Sequence, residues 1–335
     1  MAKIIGVDLG TANTLLCMKG KGIILRSPSV VAISKSTREI VALGKEARKM
    51  LGKTPEGLLA FRPIKDGVIA DFDVTAKMLR AFFEITDSIS LFSRPSVIVC
   101  IPYSVTEVER RAVEDAVFEA GARSVALIDE PLAAAIGTGL RVGGARGSMI
   151  VDIGGGTTEV AVISLDGIVA SNSIRIAGDE FDEAIVSYIR KNYNVLIGTT
   201  SAEDLKMRIG SVHPAFDCGE MEVCGRNLRT GLGAVIKVSS ADVRLAIQES
   251  VEQIISAIKT TLEKTPPELS SDIYDFGIRL SGGGALLRGI DRLIEERTGI
   301  KVTKPQRPLE CVCSGILRVI ESEGELGGLL RYRGR

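Results

Sequence analysis

Two short stretches of the sequence combine an aspartate with glycine and threonine at the same spacing. They are VDLGTANTLLCM at residues 7 to 18 and VDIGGGTTEVAV at residues 151 to 162, related by an offset of 144 residues that superimposes Asp8 on Asp152. A glycine-rich turn exposes backbone N–H groups that bind phosphate, since a Cβ atom would hold the phosphate oxygens away. An aspartate beside such a turn suits a hydrated Mg²⁺. The repeat therefore predicts a two-sided clamp on one polyphosphate.

Either turn alone is weak evidence, because most glycine-rich turns are only turns. The repetition, with an aspartate at the same place in both copies, favours a function. The candidate phosphate-binding residues are those of the two turns: Gly10, Thr11, Ala12, Asn13 and Thr14 in the first, and Gly154, Gly155, Gly156, Thr157 and Thr158 in the second.

A third glycine run, LSGGGALLRGID at residues 280 to 291, follows a predicted strand and opens a predicted helix. This geometry suits a ligand lying on bare backbone or a helix packing closely on a strand, and the spacing favours neither. The run has neither the Gly-Lys-Ser/Thr of a Walker A loop nor a GxGxxG pattern. The usual P-loop and dinucleotide mechanisms are therefore excluded for it.

The elements that must position these turns alternate between strand and helix patterns, which predicts an α/β fold with a partly parallel sheet in each half. Apolar runs at 96–102 and 124–129 predict buried strands, and the second leads into a helix with Pro131 in its first turn. Ser104 and Glu107 predict a capping box for the helix that follows them.

Composition restricts the classes of function. Lys plus Arg and Asp plus Glu both total 42, so no basic field attracts nucleic acid, and we predict no nucleic-acid partner. The six cysteines show no CxxC spacing and there is one histidine, so we expect reduced thiols and no metal cluster of these residues. The sequence begins without a signal-peptide pattern and has no apolar run long enough to span a bilayer, which predicts a cytoplasmic protein.

The motifs resemble those of a known superfamily. VDLGTANT, IDEPLAAAIG, VDIGGGTTEVAVIS and SGGGALL resemble the phosphate, connecting and adenosine motifs of the actin, Hsp70 and sugar-kinase superfamily. RPIKDGVIADF, VERRAV and FDEAIVSYIRKNY are similar to the MreB family of bacterial actin-like cell-shape proteins, and the resemblance runs from residue 3 to about 320. It implies an actin-like ATPase fold, with two duplicated RNase H-like α/β domains around a nucleotide cleft.

The resemblance also implies a domain organisation. Domain I is expected at 1–140, with a small inserted subdomain at about 33–72, and domain II at 141–308, with one at about 194–240. A C-terminal helix and tail at 309–335 are expected to pack back on domain I. The end of the tail, GELGGLLRYRGR, has no family counterpart and is predicted to be a solvated end.

Site roles follow from the resemblance, with ATP or ADP and Mg²⁺ as cofactors. Asp8 and Asp152 match the acids near Mg²⁺, partly through water, and Glu130 and Thr157 match the pair that positions the attacking water. The expected nucleoside-binding residues are Glu203, Lys206, Gly282, Gly283, Gly284 and Ala285. Leu91 and Phe92 match a loop that inserts into the membrane.

The resemblance implies a polymerising ATPase on the inner face of the cell membrane that directs cell-wall synthesis in a rod-shaped cell. Its partners would be copies of itself, the inner membrane surface and proteins of the cell-wall elongation machinery. An Hsp70-like chaperone is disfavoured because the sequence leaves no room for a substrate-binding domain. A small-molecule kinase is disfavoured because no catalytic base or sugar pocket is evident. ATP-dependent pelleting separates the first function from the other two.

Overall fold

The computed structural model of the chain describes residues 3–89, 94–322 and 324–332. Leu91 and Phe92, the predicted membrane loop, lie outside the described residues. Within the described ranges, no helix is both long and apolar enough to cross a bilayer.

The first half contains ten strands and four helices among the described residues. Its strands are β1 Ile4–Leu9, β2 Asn13–Met18, β3 Gly22–Pro28, β4 Val31–Ser34, β5 Ile40–Leu43, β6 Leu58–Phe61, β7 Ile64–Lys65, β8 Val68–Ile69, β9 Ser96–Ile101 and β10 Ser124–Asp129. Its helices are α1 Lys45–Met50, α2 Phe72–Ile85, α3 Glu107–Glu119 and α4 Glu130–Gly137.

The second half continues with nine strands and six helices in the described part of the chain. The strands are β11 Ser148–Ile153, β12 Thr158–Ser164, β13 Gly167–Ile174, β14 Val195–Leu196, β15 Glu220–Asn227, β16 Gly233–Ser239, β17 Ile278–Ser281, β18 Val302–Thr303 and β19 Arg331–Tyr332. The helices are α5 Gly178–Tyr193, α6 Thr199–Ile209, α7 Ser240–Glu263, α8 Pro267–Phe276, α9 Ile290–Thr298 and α10 Cys311–Glu321.

Two large sheets carry the same strand order. One runs β10-β9-β1-β2-β3 and the other β18-β17-β11-β12-β13, and β19 extends the first beyond β10. In both, the repeated hairpin is antiparallel, while its first strand pairs in parallel with a strand from later in the chain. The repeat found in the sequence therefore begins two sheets of one topology.

Helices α4 and α10 pack against each other between the two sheets. The buried cluster around them draws on both hairpins, with Leu15 and Cys17 from the first and Ala161 and Ile163 from the second. A Cβ added at Gly315 would lie 1.8 Å from the backbone oxygen of Ala133. The two helix backbones are thus in direct contact, which only a residue without a side chain permits.

Smaller sheets branch from each half. β5-β4-β6 spans residues 31–61 and β14-β15-β16 spans residues 195–239, which places them at the two predicted insertions. The domain boundaries themselves stay a prediction.

One local prediction is wrong. The capping box of α3 is formed by Thr106 and Glu109, not by Ser104 and Glu107. The two sets share the same spacing, and α3 begins two residues later than predicted because the chain after β9 continues as a turn.

Candidate functional site

The two glycine-rich turns face each other in direct contact. A Cβ added at Gly155 would lie 2.7 Å from the Cβ of Ala12, and one added at Gly156 would lie 2.8 Å from the Thr11 hydroxyl. Both separations are shorter than real Cβ contacts, so these two positions accept no side chain without movement. The glycines therefore let the turns approach each other, in addition to exposing their backbone.

Backbone carbonyls of both turns accept hydrogen bonds from neighbouring segments. Ser29 donates to the carbonyls of Gly10 (2.7 Å) and Ala12 (3.0 Å). The first N–H groups of α5 donate to the carbonyls of Gly154 (3.2 Å) and Gly155 (2.8 Å). These acceptors would repel a phosphate, and protein donors already satisfy them. The N–H of Gly154 closes its own turn on the carbonyl of Thr157 at 2.9 Å, so this amide is not presented to a ligand.

Three acidic side chains converge at the floor between the turns. Asp8 lies one residue before the end of β1, Asp152 lies in β11, and Glu130 begins α4 directly after β10. Burial, and then the charge of Asp152, raises the pKa of Asp8 to about 7. Burial raises the pKa of Asp152 to about 6, although Ser281 and Glu130 partly offset it. Burial, Asp152 and Asp8 raise the pKa of Glu130 well above its ordinary value.

This cluster fits a divalent cation. Asp152 Oδ1 is buried and has no hydrogen-bond partner among the described residues. Two facing carboxylates with raised pKa values repel each other, and a cation between them would remove that repulsion. The pair of carboxylates suits Mg²⁺, which takes one or two carboxylates and completes its shell with water and phosphate.

A cavity of about 560 Å³ opens from this floor. Its lining brings together most of the predicted site residues, which are Asp8, Gly10, Thr11, Ala12, Asn13, Glu130, Asp152, Gly154, Gly155, Gly156, Thr157, Glu203, Lys206, Gly282, Gly283 and Gly284. Lys206 already contacts the Asp182 carboxylate (2.8 Å) and donates to the carbonyl of Gly178 (2.6 Å). The volume is that of a typical small-molecule site.

Three predicted site residues do not line the cavity. Thr14 and Thr158 are fully buried, and Ala285 packs in the core of the second half. The Thr14 hydroxyl shares a hydrogen bond of 2.8 Å with Ser29, and Thr158 donates to the carbonyl of Ile176 at 2.6 Å. These hydroxyls hold the hairpins in place, and the structure gives them no access to a ligand.

Sequence reasoning missed two cation–carboxylate pairs that cross the mouth of the cavity. Arg48 of α1 contacts Glu203 of α6 at 2.8 Å, and Arg62 contacts Asp179 at the start of α5. Each pair joins the first half to the second. Nothing in the sequence signals them, because each joins positions more than one hundred residues apart.

The second hairpin also carries a buried acid that the sequence reasoning missed. Glu159 in β12 lies opposite Asp152 and accepts a hydrogen bond from Ser173, while its Oε2 has no partner in the described part of the chain. Burial raises the pKa of Glu159 to about 7. The sequence does carry a signal for it, because Glu159 is the one acid in the otherwise mostly apolar strand TEVAVIS.

Comparisons with known proteins confirm the resemblance and the actin-like fold. The model of the MreB/Mbl protein family matches residues 2–327. The cell shape-determining protein MreB of Escherichia coli (strain K12) is 52% identical over 330 residues, covering 97% of this chain and 95% of that protein. The corresponding values for Mbl of Bacillus subtilis (strain 168) are 47% over 314 residues, with 94% of each chain covered.

Solved structures of actin-like proteins superimpose on this fold. MreB 5 of Spiroplasma citri bound to AMPPNP superimposes with a TM-score of 0.92 at 37% identity, covering 98% of this chain and 99% of that one. The MamK double helical filament gives a TM-score of 0.81 at 20% identity, covering 96% and 99%, and shows the fold alone.

Proposed function

The chain belongs to the MreB/Mbl family, and from that premise we propose that it binds and hydrolyses ATP, polymerises into membrane-associated filaments and directs cell-wall synthesis that maintains a rod shape. One observation carries the enzymatic part of this proposal. Two glycine-rich turns, the buried Asp8 and Asp152 and the partly buried Glu130 line one cavity, in the fold that holds AMPPNP in the Spiroplasma citri relative.

Each part of the site has a role in this proposal. The amides of the two turns, apart from that of Gly154, bind the β- and γ-phosphates, while Glu203, Lys206 and Gly282 to Gly284 bind the nucleoside. Asp8 and Asp152 hold Mg²⁺, partly through water, and the ion neutralises phosphate charge when bound. Glu130 and Thr157 orient the attacking water. Phosphoryl transfer needs such positioning more than it needs a strong base.

The protonation of Glu130 follows from its neighbours. In the nucleotide-free chain, burial and the charges of the two aspartates raise the pKa of Glu130 well above its ordinary value, which favours its protonated form. Mg²⁺ held by Asp8 and Asp152 would offset the two charges that help to raise the pKa of Glu130. This favours the ionised Glu130 carboxylate, which accepts a hydrogen bond from water.

Phosphate release tests the enzymatic assignment. We expect Glu130→Ala to keep ATP binding and to lose about 100-fold or more in the rate of phosphate release, since it removes the group that orients the water. Glu84→Ala, on the exposed surface of α2, is the matched control and should hydrolyse ATP normally. Unchanged turnover in Glu130→Ala would remove Glu130 from the mechanism.

The stability of the nucleotide-free protein tests the cation site. Asp8 has a folded pKa of about 7 against an ordinary value of 3.8, so the stability that its protonated form provides is lost as pH rises through about 7. We expect Asp8→Asn to raise the free energy of unfolding by about 1–4 kcal/mol at pH 8 and to leave it unchanged near pH 4. Denaturant titrations at both values measure this. If the difference in the free energy of unfolding between the two proteins were the same at pH 4 and at pH 8, the assignment would be contradicted.

Assembly and membrane contact need separate measurements. Two apolar side chains contribute only a few kcal/mol, so stable attachment through Leu91 and Phe92 requires many copies in a filament. Electron microscopy of the purified protein with ATP on a lipid monolayer reports both properties. We expect filaments, and we expect a Leu91→Ser, Phe92→Ser double variant to lose co-sedimentation with liposomes while it still pellets with ATP. Phosphorylation of a small molecule without filaments would favour the kinase alternative.

A further inference from the structure

The end of the described chain adds a strand to the first sheet. In β19, Arg331 lies opposite Leu127 and Tyr332 lies opposite Ala126 of β10. The family model ends at residue 327, so this strand lies beyond the part of the chain that it matches. The side chains of Arg331 and Tyr332 are exposed, as the prediction of a solvated end has it, while their backbone covers an edge of β10 that would otherwise be unpaired.

Arg331 reaches from this strand to a buried acid. Its guanidinium donates to Asp129 Oδ2 at 2.6 Å, and the Asp129 side chain is only 6% exposed. Residues that face each other in an antiparallel pair point to the same side of the sheet, and alternate residues of one strand do the same. Arg331 therefore shares a face with Leu127 and Asp129, while Tyr332 lies on the other face.

The Asp129 carboxylate has no competing structural task at the start of α4. Asp129 is the N-cap residue, but its side chain caps no backbone N–H. Pro131, in the first turn of α4, has no N–H to offer. Burial raises the pKa of Asp129, while Arg331, and then Arg110, act in the opposite direction. A buried carboxylate that loses its cation is costly, so the contact with Arg331 holds Asp129 in one place.

Glu130 is the next residue, and it starts α4 where the chain leaves β10. Its backbone is bounded on one side by the β19 pairing and the anchored Asp129, and on the other by the helix. We propose that Arg331 is a positioning residue for ATP hydrolysis, which fixes the direction of the Glu130 side chain by holding Asp129 at the end of β10. This inference rests on the proposed role of Glu130.

Kinetics of the full chain test the proposal. For Arg331→Ala we expect kcat for phosphate release to fall about 3- to 10-fold with the KM for ATP unchanged, because small misplacements of a catalytic group lower rate rather than binding. Arg331→Lys should restore most of kcat, since it keeps a cation beside Asp129. Tyr332→Ala, on the opposite face of the same strand, should match the parent protein.

A double-mutant cycle identifies the route. If Arg331 acts through Asp129, the double variant Arg331→Ala, Asp129→Asn should be no slower than Asp129→Asn alone. Additive losses, an equal loss in Tyr332→Ala, or a KM that rises with the fall in kcat would each overturn the proposal. Rates are measured far below the thermal unfolding midpoint of every variant, which separates positioning from the destabilisation expected when Arg331→Ala leaves the buried Asp129 without its cation.

The Glu130→Ala variant separates this inference from the function on which it rests. If Glu130→Ala is inactive and Arg331→Ala has the rate of the parent protein, the positioning role alone is overturned. If Glu130→Ala hydrolyses ATP normally, the proposed function of Glu130 fails first and the role of Arg331 fails with it.

Discussion

The two aspartate hairpins occupy equivalent places in their sheets but have different turn surfaces. With the offset of 144 residues, Thr11 and Ala12 of the first turn correspond to Gly155 and Gly156 of the second. The side chains of the first turn lie where a Cβ of the second would be, with Ala12 against Gly155 and Thr11 against Gly156. The copies are therefore complementary, because two identical turns with side chains could not approach this closely.

A second difference lies deeper in the hairpins. Leu15 pairs with Asp8 across the first hairpin, and the equivalent partner of Asp152 is Glu159. The first aspartate thus lies beside an apolar side chain and the second beside another acid. Duplication supplies a common framework and the pair of aspartates, and the positions where the copies diverge set the fit between the turns and the surroundings of each aspartate.

The largest expected effect comes from making the second turn more like the first. In Gly155→Ala the added methyl group meets Ala12, so the turns must separate, and we expect ATP affinity to fall about 10- to 100-fold, in line with an overpacking cost of about 1–3 kcal/mol. Adding Ala12→Gly to this variant should restore part of the affinity. Isothermal titration with ATP and Mg²⁺ measures both.

The control for this prediction is Gly144→Ala, whose added Cβ meets nothing within 4 Å. It should bind ATP like the parent protein. Normal affinity in Gly155→Ala would mean that the turns are not held together in the bound state.

The second hairpin carries an acid, Glu159, where the first has Leu15. Removing its charge should have a smaller effect, measured as a change in the free energy of unfolding. Glu159 has a folded pKa of about 7 against an ordinary value of 4.5, so the free energy of unfolding falls as pH rises through about 7. We expect Glu159→Gln to raise the free energy of unfolding by about 1–3 kcal/mol at pH 8, with no gain near pH 4. Denaturant titrations of the nucleotide-free protein at both pH values measure the gain. A gain of equal size at both values would point to packing instead of charge.

The smallest expected effects concern the two buried threonines, which the hairpins share. Thr158→Val leaves the carbonyl of Ile176 without its donor, whereas Thr14→Val leaves Ser29 bonded to Gly10. We therefore expect Thr158→Val to cost about 1–2 kcal/mol of stability and Thr14→Val about 0.5–1 kcal/mol. ATP affinity should stay within about twofold in both, since hydroxyls without access to the cavity contribute no binding energy. A large loss of affinity would assign these hydroxyls to the phosphate site.

Local sequence patterns predicted the strands and helices that frame the site. What they missed has physical reasons. The hairpins, β9, β10, α4 and the meeting of Asp8, Asp152 and Glu130 follow from periodicity, from the repeat and from the family resemblance. The pairs Arg48–Glu203 and Arg331–Asp129 depend on tertiary approach, which no local spacing encodes. Thr14 and Thr158 were predicted to bind phosphate, but their hydroxyls turn into the fold. A motif places a residue type without showing which way its hydroxyl turns.

The contact between α4 and α10 has a consequence for how the protein is made. The cluster that they share combines Leu15 and Cys17, near the start of the sequence, with Ile316 and Ile320. Long-range contacts of this kind form late, because a growing chain folds from its N-terminus as it leaves the ribosome. The apolar face of the first hairpin therefore stays uncovered until α10 has been made, and during synthesis it is a surface that needs protection from aggregation.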